Sequence, residues 1–323
     1  MAEQRARLKE AVFLGIVAFA GCAILLVLIE LGVRIVRPDV NAQDTDRTLF
    51  RAKAFGNSVG WVPNARGLSF GVEAAIDELG FRRIKHPEHF SDTWLFLGDS
   101  VTFGVGVTDD QAFPQLVQNH LPAVRVWNSA ITGYSTPNYR DVVTHTIDTG
   151  QHLSRVILCY TLNDAYGNLD LTPKDSGLVD VTFGFLRRHS RLYVLFKDLA
   201  ADRSKAYFMY DYAMYAEDRP EWLQAMATIS DIAEALKARG IPLDVVLLPY
   251  EYQLRMDDTR LLQPQRMVKQ ALEAKKINVI DLYADFGSKG RSSRDFFLFG
   301  DPMHLSVLGH QVVADALVSR LAR

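Results

Sequence analysis

Cysteine is nearly absent from this chain: only Cys22 and Cys159 occur in 323 residues. Cys22 lies in an apolar N-terminal run and Cys159 in an expected buried strand, so the two cannot pair. A disulfide framework is excluded, as is a cysteine-based metal cage, although neither point argues against an oxidising compartment such as the bacterial periplasm. Charge of one sign is also lacking. Lysine and arginine number 36 against 38 acidic residues, for a net charge of -2. Nothing global therefore suggests a nucleic-acid partner. Internal repeats and low-complexity tracts are missing as well. No His, Cys, Asp and Glu set has metal-ligand spacing, and His86 and His89 read as surface residues of a loop. No cofactor is implied.

What is present begins with an apolar segment. Arg5, Arg7 and Lys9 precede it, no charge occurs from Ala11 to Ile29, and Glu30, Arg34, Arg37 and Pro38 close it. About 20 apolar residues cross a bilayer core, so residues 11–33 fit one transmembrane helix. A cleaved signal peptide would have a shorter apolar core. A lipoprotein site at Phe19-Ala20-Gly21-Cys22 would carry a smaller residue than Phe19 and turn polar after Cys22. A buried core helix would not need so long an uncharged run. Basic residues flank both ends, which nearly balances the charge rule for orientation. The amino terminus tips the choice to a cytoplasmic segment over residues 1–10, with the bulk of the chain outside.

Residues 34–92 read as a connecting segment and a small N-terminal subdomain, because Trp61, Phe70 and Phe81 are too many apolar anchors for a free tether. From Thr93 the pattern alternates. Strand-like runs are Thr93–Leu97, Val124–Trp127, Arg155–Tyr160, Leu243–Leu248 and Asn278–Leu282. Helix-like runs are about Gln111–Leu121, Pro137–Thr149, Pro220–Arg239, Gln263–Lys275 and Ser306–Leu321. Such alternation argues for an α/β protein with a parallel sheet covered on both faces. One segment, about 165–218, breaks it and is rich in aromatics, most densely over Tyr207–Tyr215. It is either a helical insertion packing its rings on the main domain or a lid or platform beside a binding site.

The chemistry-bearing residues sit where strands end. The run Trp94-Leu95-Phe96-Leu97 stops at Gly98-Asp99-Ser100, which places a serine hydroxyl at the mouth of the sheet. Alternatively, Ser100 merely caps the following helix. A serine needs a base, an orienting group and oxyanion donors before it can act as a nucleophile. Asp301-Pro302-Met303-His304, just before the last helix, offers a carboxylate within reach of the imidazole Nδ1, leaving Nε2 for Ser100. Gly133, after the second strand, can present a backbone N–H, and Asn163, after the third, a side-chain amide. Asp99 reads only as a residue that shapes the turn.

Together, Gly98-Asp99-Ser100-Val101, the Gly133 loop, Asn163-Asp164 and Asp301-x-x-His304 resemble the four blocks of the SGNH (GDSL-type) hydrolases, over residues 93–323. Val101, Ala130 and Thr161 depart from the usual pattern. The resemblance implies a flavodoxin-like three-layer α/β/α sandwich with a five-stranded parallel sheet in the order 2-1-3-4-5. It assigns Ser100 as nucleophile, His304 as base, Asp301 as its partner, and Ser100, Gly133 and Asn163 as oxyanion donors. The stretch Asp77-Glu78-Leu79-Gly80-Phe81-Arg82, with the apolar helix, is similar to membrane-anchored bacterial members associated with cell-surface glycans. The expectation is therefore a single-pass inner-membrane serine esterase with a periplasmic catalytic domain. It would remove O-acetyl or another short acyl group from a glycan, beside polysaccharide biosynthesis or export proteins. The alternatives are an O-acyltransferase, a lipid esterase or thioesterase, and a non-catalytic member of a polysaccharide assembly.

Overall fold

A computed structural model describes residues 2–167, 178–287 and 290–321; part of the aromatic-rich segment, residues 168–177, thus lies outside the described residues. The chain opens with helix α1 (Ala2–Val36), whose apolar stretch Lys9–Val36 is not buried against the rest of the molecule. A core helix is thereby excluded. By length and composition the helix is able to cross a membrane.

Two short antiparallel hairpins follow, β1 (Phe50–Phe55) with β2 (Ser58–Trp61) and β3 (Arg66–Ser69) with β4 (Val72–Ala75). They are not a free-standing unit. Phe55, Trp61 and Ile76 are buried in the same core as the main sheet. The Trp61 indole N–H donates to the Ala130 carbonyl at 3.0 Å. Beyond β4 the Asp77 side chain accepts from the N–H groups of Leu79 (2.9 Å) and Phe81 (2.8 Å), folding a tight turn that Gly80 completes at φ +81°.

The main sheet has five parallel strands: β5 (Asp92–Leu97), β6 (Val124–Asn128), β7 (Arg155–Tyr160), β8 (Leu243–Leu247) and β9 (Asn278–Asp281). Their spatial order is β6-β5-β7-β8-β9, the 2-1-3-4-5 arrangement expected from the sequence. The register sets Trp94 beside Val126 and Arg155, and Val245 beside Val279. Strands covered on both faces read as continuous apolar runs, and β8 is buried at every position.

Helices supply the outer layers. After β5 come α2 (Ser100–Phe103) and α3 (Phe113–Asn119), and after β6 comes α4 (Thr136–Asp148). Then follow α5 (Leu178–His189), α6 (Arg191–Ala200), α7 (Arg203–Tyr212), α8 (Pro220–Lys237), α9 (Glu251–Met256), α10 (Gln263–Ala274) and α11 (Val307–Leu321). Helix α3 packs on α11, while α4 and α10 pack on α8, giving a helical layer on each face. Helix α11 turns Val313, Ala314, Leu317 and Leu321 inward, positions three to four residues apart that form one stripe. The fold is the three-layer α/β/α sandwich expected above, with α5, α6 and α7 inserted between the third and fourth strands of the sheet.

Candidate active site

The site is built at the carboxyl ends of the sheet strands. Strand β5 ends at Leu97, and the chain reverses into α2 through Gly98 and Asp99. A Cβ at Gly98 would lie 2.1 Å from the Thr102 hydroxyl, so only glycine permits this approach. The helix cap is Asp99 and not Ser100: its carboxylate accepts from the Val101 N–H at 2.9 Å. Ser100 is the first residue of α2, so its own N–H has no partner within the helix. Its side chain retains 7% of its surface.

The Ser100 hydroxyl lies 2.8 Å from His304 Nε2, and His304 Nδ1 lies 2.8 Å from Asp301 Oδ2. The spacing of three residues works because Asp301 closes a turn on itself. Its Oδ1 accepts from the N–H groups of Met303 (3.0 Å) and His304 (2.8 Å), which leaves Oδ2 aimed at the ring. Burial opposes the Asp301 charge, but His304 and these hydrogen bonds outweigh it and hold the carboxyl below its usual range. Burial likewise opposes charging of His304, yet Asp301, with Asp99 behind it, raises the imidazole above its ordinary value. Such a ring can take a proton from the hydroxyl and hold it.

The two remaining expected residues also come to this end of the sheet. Gly133 sits third in the turn Ile131–Tyr134, closed by the Tyr134 N–H on the Ile131 carbonyl at 3.1 Å. Its φ of +82° suits glycine at that position. Asn163 follows β7. Its Oδ1 accepts from the Thr161 hydroxyl at 2.6 Å, and its Nδ2 contacts Asp99 Oδ2 at 3.4 Å. The departure from the family pattern at Thr161 therefore has a use: its hydroxyl fixes which end of the amide presents protons. The same hydroxyl lies 3.2 Å from Asp99 Oδ2, tying the third block to the turn before Ser100.

Three neighbours carry no motif. Phe70, at the tip of the β3–β4 hairpin, meets the His304 ring edge-on with centroids 4.9 Å apart. It holds φ +50°, a left-handed conformation that a bulky side chain rarely adopts, and Gly71 follows at +77°. Arg82 is 1% exposed. It donates to the Val107 carbonyl (2.7 Å) and to those of Phe103 and Gly104, and pairs with Asp109 at 3.0 Å, bracing the loop that follows α2. Asp211 accepts from the hydroxyls of Tyr166 (2.5 Å) and Tyr250 (2.7 Å), and the Tyr250 oxygen is 3.5 Å from Asn163 Oδ1. Burial pushes the Asp211 carboxyl up to about 6. Spacing gives no sign of Phe70 or Asp211. For Arg82 the only available signal was its place at the end of the Asp77–Arg82 stretch.

The family model for GDSL-like lipases and acylhydrolases matches residues 96–312, two thirds of the chain. The chain belongs to this family. The hydrolase is accordingly an SGNH-type serine hydrolase acting on esters. No protein of curated function matches its sequence. Among solved structures it is similar to a G-D-S-L-family lipolytic protein of Veillonella parvula, at 14% identity and a TM-score of 0.45, covering 72% of this chain and 100% of that one. It is similar to a catalytic variant of an acetylxylan esterase of Geobacillus stearothermophilus, at 17% identity and a TM-score of 0.46, covering 73% and 96%. It is also similar to a lipase/acylhydrolase of Enterococcus faecalis, at 15% identity and a TM-score of 0.43, covering 72% and 95%.

In the hydrolase the aromatic-rich insertion divides its rings between two tasks. Phe208 is buried against Tyr212, Tyr250 and Tyr252, and the Tyr215 hydroxyl bonds Tyr160 and the Leu162 carbonyl. Tyr207 stays 44% exposed. Burial and the fields of Asp211, Asp301 and Asp99 push its phenol up.

Proposed function

We propose that the hydrolase is a membrane-anchored esterase that removes O-acetyl or another short acyl group from an extracytoplasmic glycan. The observation that carries the mechanism is the unbroken line from Ser100 through His304 to Asp301, with both links at 2.8 Å. Ser100 Oγ attacks the ester carbonyl while His304 Nε2 takes its proton. The Ser100 and Gly133 N–H groups and the Asn163 amide receive the oxyanion. His304 then protonates the departing sugar hydroxyl, and water, activated by the same ring, releases the acyl group from Ser100.

Two observations support a glycan over a long-chain lipid. Tyr207 offers an exposed aromatic face of the kind that stacks on sugar rings. A cleft of about 840 Å³ that reaches Asp301 sets Asp198, Asp202, Glu251 and Arg294 beside the apolar Leu195, Leu199, Phe297 and Phe299, so its charged groups can hydrogen-bond a sugar. Limited room favours a short acyl group, since Ser100 is nearly covered and Phe70 leans on His304. Retention of α1 as an anchor is supported by its docking on α6, described below, and its length suits an inner-membrane span with the catalytic domain outside.

The test uses the full chain in detergent, with acetylated glycans, a chain-length series of esters, and acceptor sugars added in turn. The expected result is hydrolysis favouring short acyl groups, with Ser100→Ala lowering kcat by a factor of about 10³ or more. A preference for long chains would overturn the glycan reading, and acylated acceptor sugar as the main product would make the enzyme a transferase. Unchanged turnover by Ser100→Ala would remove the mechanism altogether.

A further inference from the structure

Helix α1 is not tethered by a loose linker. Near its C-terminal end the Glu30 carboxylate accepts from the N–H groups of Arg191 (3.0 Å) and Leu192 (2.9 Å) and from the Ser190 hydroxyl (3.0 Å). These are the first groups of α6, whose orphan N–H donors and positive dipole end favour an anion. Arg34, one turn on, donates to Glu30 at 2.7 Å and to the His189 carbonyl at 2.6 Å. Four hydrogen bonds joining residues 189–192 to Glu30 and Arg34 thus fix the start of α6 at the height of residue 30. At 1.5 Å per residue that lies only about 5 Å inside Val33, the last residue of the expected span.

The elements held at that height expose apolar side chains. On α5 these are Val181, Phe183 and Phe185, and on α6 they are Phe196 and Leu199, the last two 67% and 75% exposed. Apolar residues clustered at this density mark an interaction surface. Helix α5 then closes with Arg187 and Arg188 in its last turn, cations that follow its apolar residues. Beside them the exposed surface of α1 continues past the expected span through Ile35 and Val36, 80% and 76% exposed.

We propose that α5 and α6 form a second membrane contact, seated in the headgroup layer beside the point where α1 leaves the bilayer. This inference rests on the reading of α1 as a retained span. The occupant is the lipid surface and not a protein partner, because the Glu30 and Arg34 contacts hold the junction of α5 and α6 against the helix read as the span. Basic residues at its margin suit lipid phosphates, as on interfacial amphipathic helices. The consequence is positional: α6 runs directly into α7, which carries Tyr207, so the catalytic mouth is held at a set distance from the membrane.

The test reconstitutes the full chain in nanodiscs of phosphatidylethanolamine and phosphatidylglycerol. Cys22→Ser removes the exposed thiol and Cys159 is buried, so single sites can be labelled with bimane. Labels are placed through Phe185→Cys and Phe196→Cys, with Leu25→Cys in α1 and Lys275→Cys after α10 as references. Doxyl lipid labelled near the headgroup should quench the labels at 185 and 196, doxyl lipid labelled deep in the acyl chain should quench the label at 25, and both should leave the label at 275 bright. Glu30→Ala should weaken quenching at 185 and 196 while quenching at 25 persists. Quenching at 25 with 185 and 196 as bright as 275 would overturn the inference and leave the anchor standing. Absence of quenching at 25 would overturn both, and neither outcome depends on esterase activity.

Discussion

At the scale of the residue, the decisive relation is between two ionisable groups. Asp301 raises the His304 imidazole above its ordinary 6.5, and catalysis needs the ring neutral. The acid limb of kcat/KM is therefore expected at a pH above 6.5. Asp301→Asn removes the charge that supports the imidazolium, so the limb should move to lower pH while the rate falls by about 10⁴. A pH-rate profile checks both, and an unmoved limb would mean that Asp301 does not set the ring's affinity for protons. Stability follows with the opposite sense for the two groups. The contribution of His304, whose folded value is raised, is full below its unfolded value and is lost as pH climbs through the folded one. That of Asp301, whose folded value is depressed, is full above 3.8 and is lost as pH falls through its folded value. The pair thus stabilises the fold in the interval between them. Ser100, His304, Asp301, Gly133 and Asn163 were all legible in the sequence, because each stands in a short block at a strand end. Thr161 was visible only as a departure. Its service to Asn163 depends on a rotamer, which no spacing reports.

At the scale of the element, Arg82 shows what holds the nucleophile turn in place. A buried guanidinium that satisfies three carbonyls of the segment after α2 and one carboxylate cannot be shortened without leaving those groups unpaired. Arg82→Ala is expected to cost about 3–5 kcal/mol, read as a loss of thermal and urea stability. It should also lower turnover before unfolding begins, because the turn that carries Ser100 loses its brace. Stability within about 1 kcal/mol of the parent would show that water replaces the guanidinium. Elements differed in how well they could be read. The five core strands appear within a residue or two of their apolar runs, since a strand buried on both faces has nothing polar to blur it. The hairpins β1–β2 and β3–β4 were not legible as strands. They are four to six residues long and half exposed; β1 is irregular at Lys53 and β3–β4 turns through Phe70, both at positive φ, where a sequence reader expects glycine or asparagine. Arginine is rarely fully buried, so the sequence gives no sign that Arg82 is a brace. Glu30 looked like an interruption of an apolar helix, because its partners on α6 are 160 residues or more away.

At the scale of the whole molecule, the working unit is larger than the segment that carries the family's blocks. The family model begins at residue 96, yet Phe55, Trp61 and Phe81 are buried in the common core and Phe70 touches His304. A chain starting at residue 38 should unfold in one cooperative transition. A chain starting at residue 93, stripped of these side chains and of Arg82, should show no cooperative transition and should aggregate; circular dichroism against temperature distinguishes them. Cooperative unfolding of the shorter chain would establish residues 34–92 as a dispensable subdomain.

The distance between Ser100 and His304 along the chain is 204 residues. Synthesis delivers the serine early and the histidine almost last, with α11 still to follow. Throughout that interval the emerging polypeptide holds a hydroxyl without its base. The nascent enzyme is thus chemically silent until α11 packs on α3, and its first act of catalysis reports that both ends of the 204-residue interval have met.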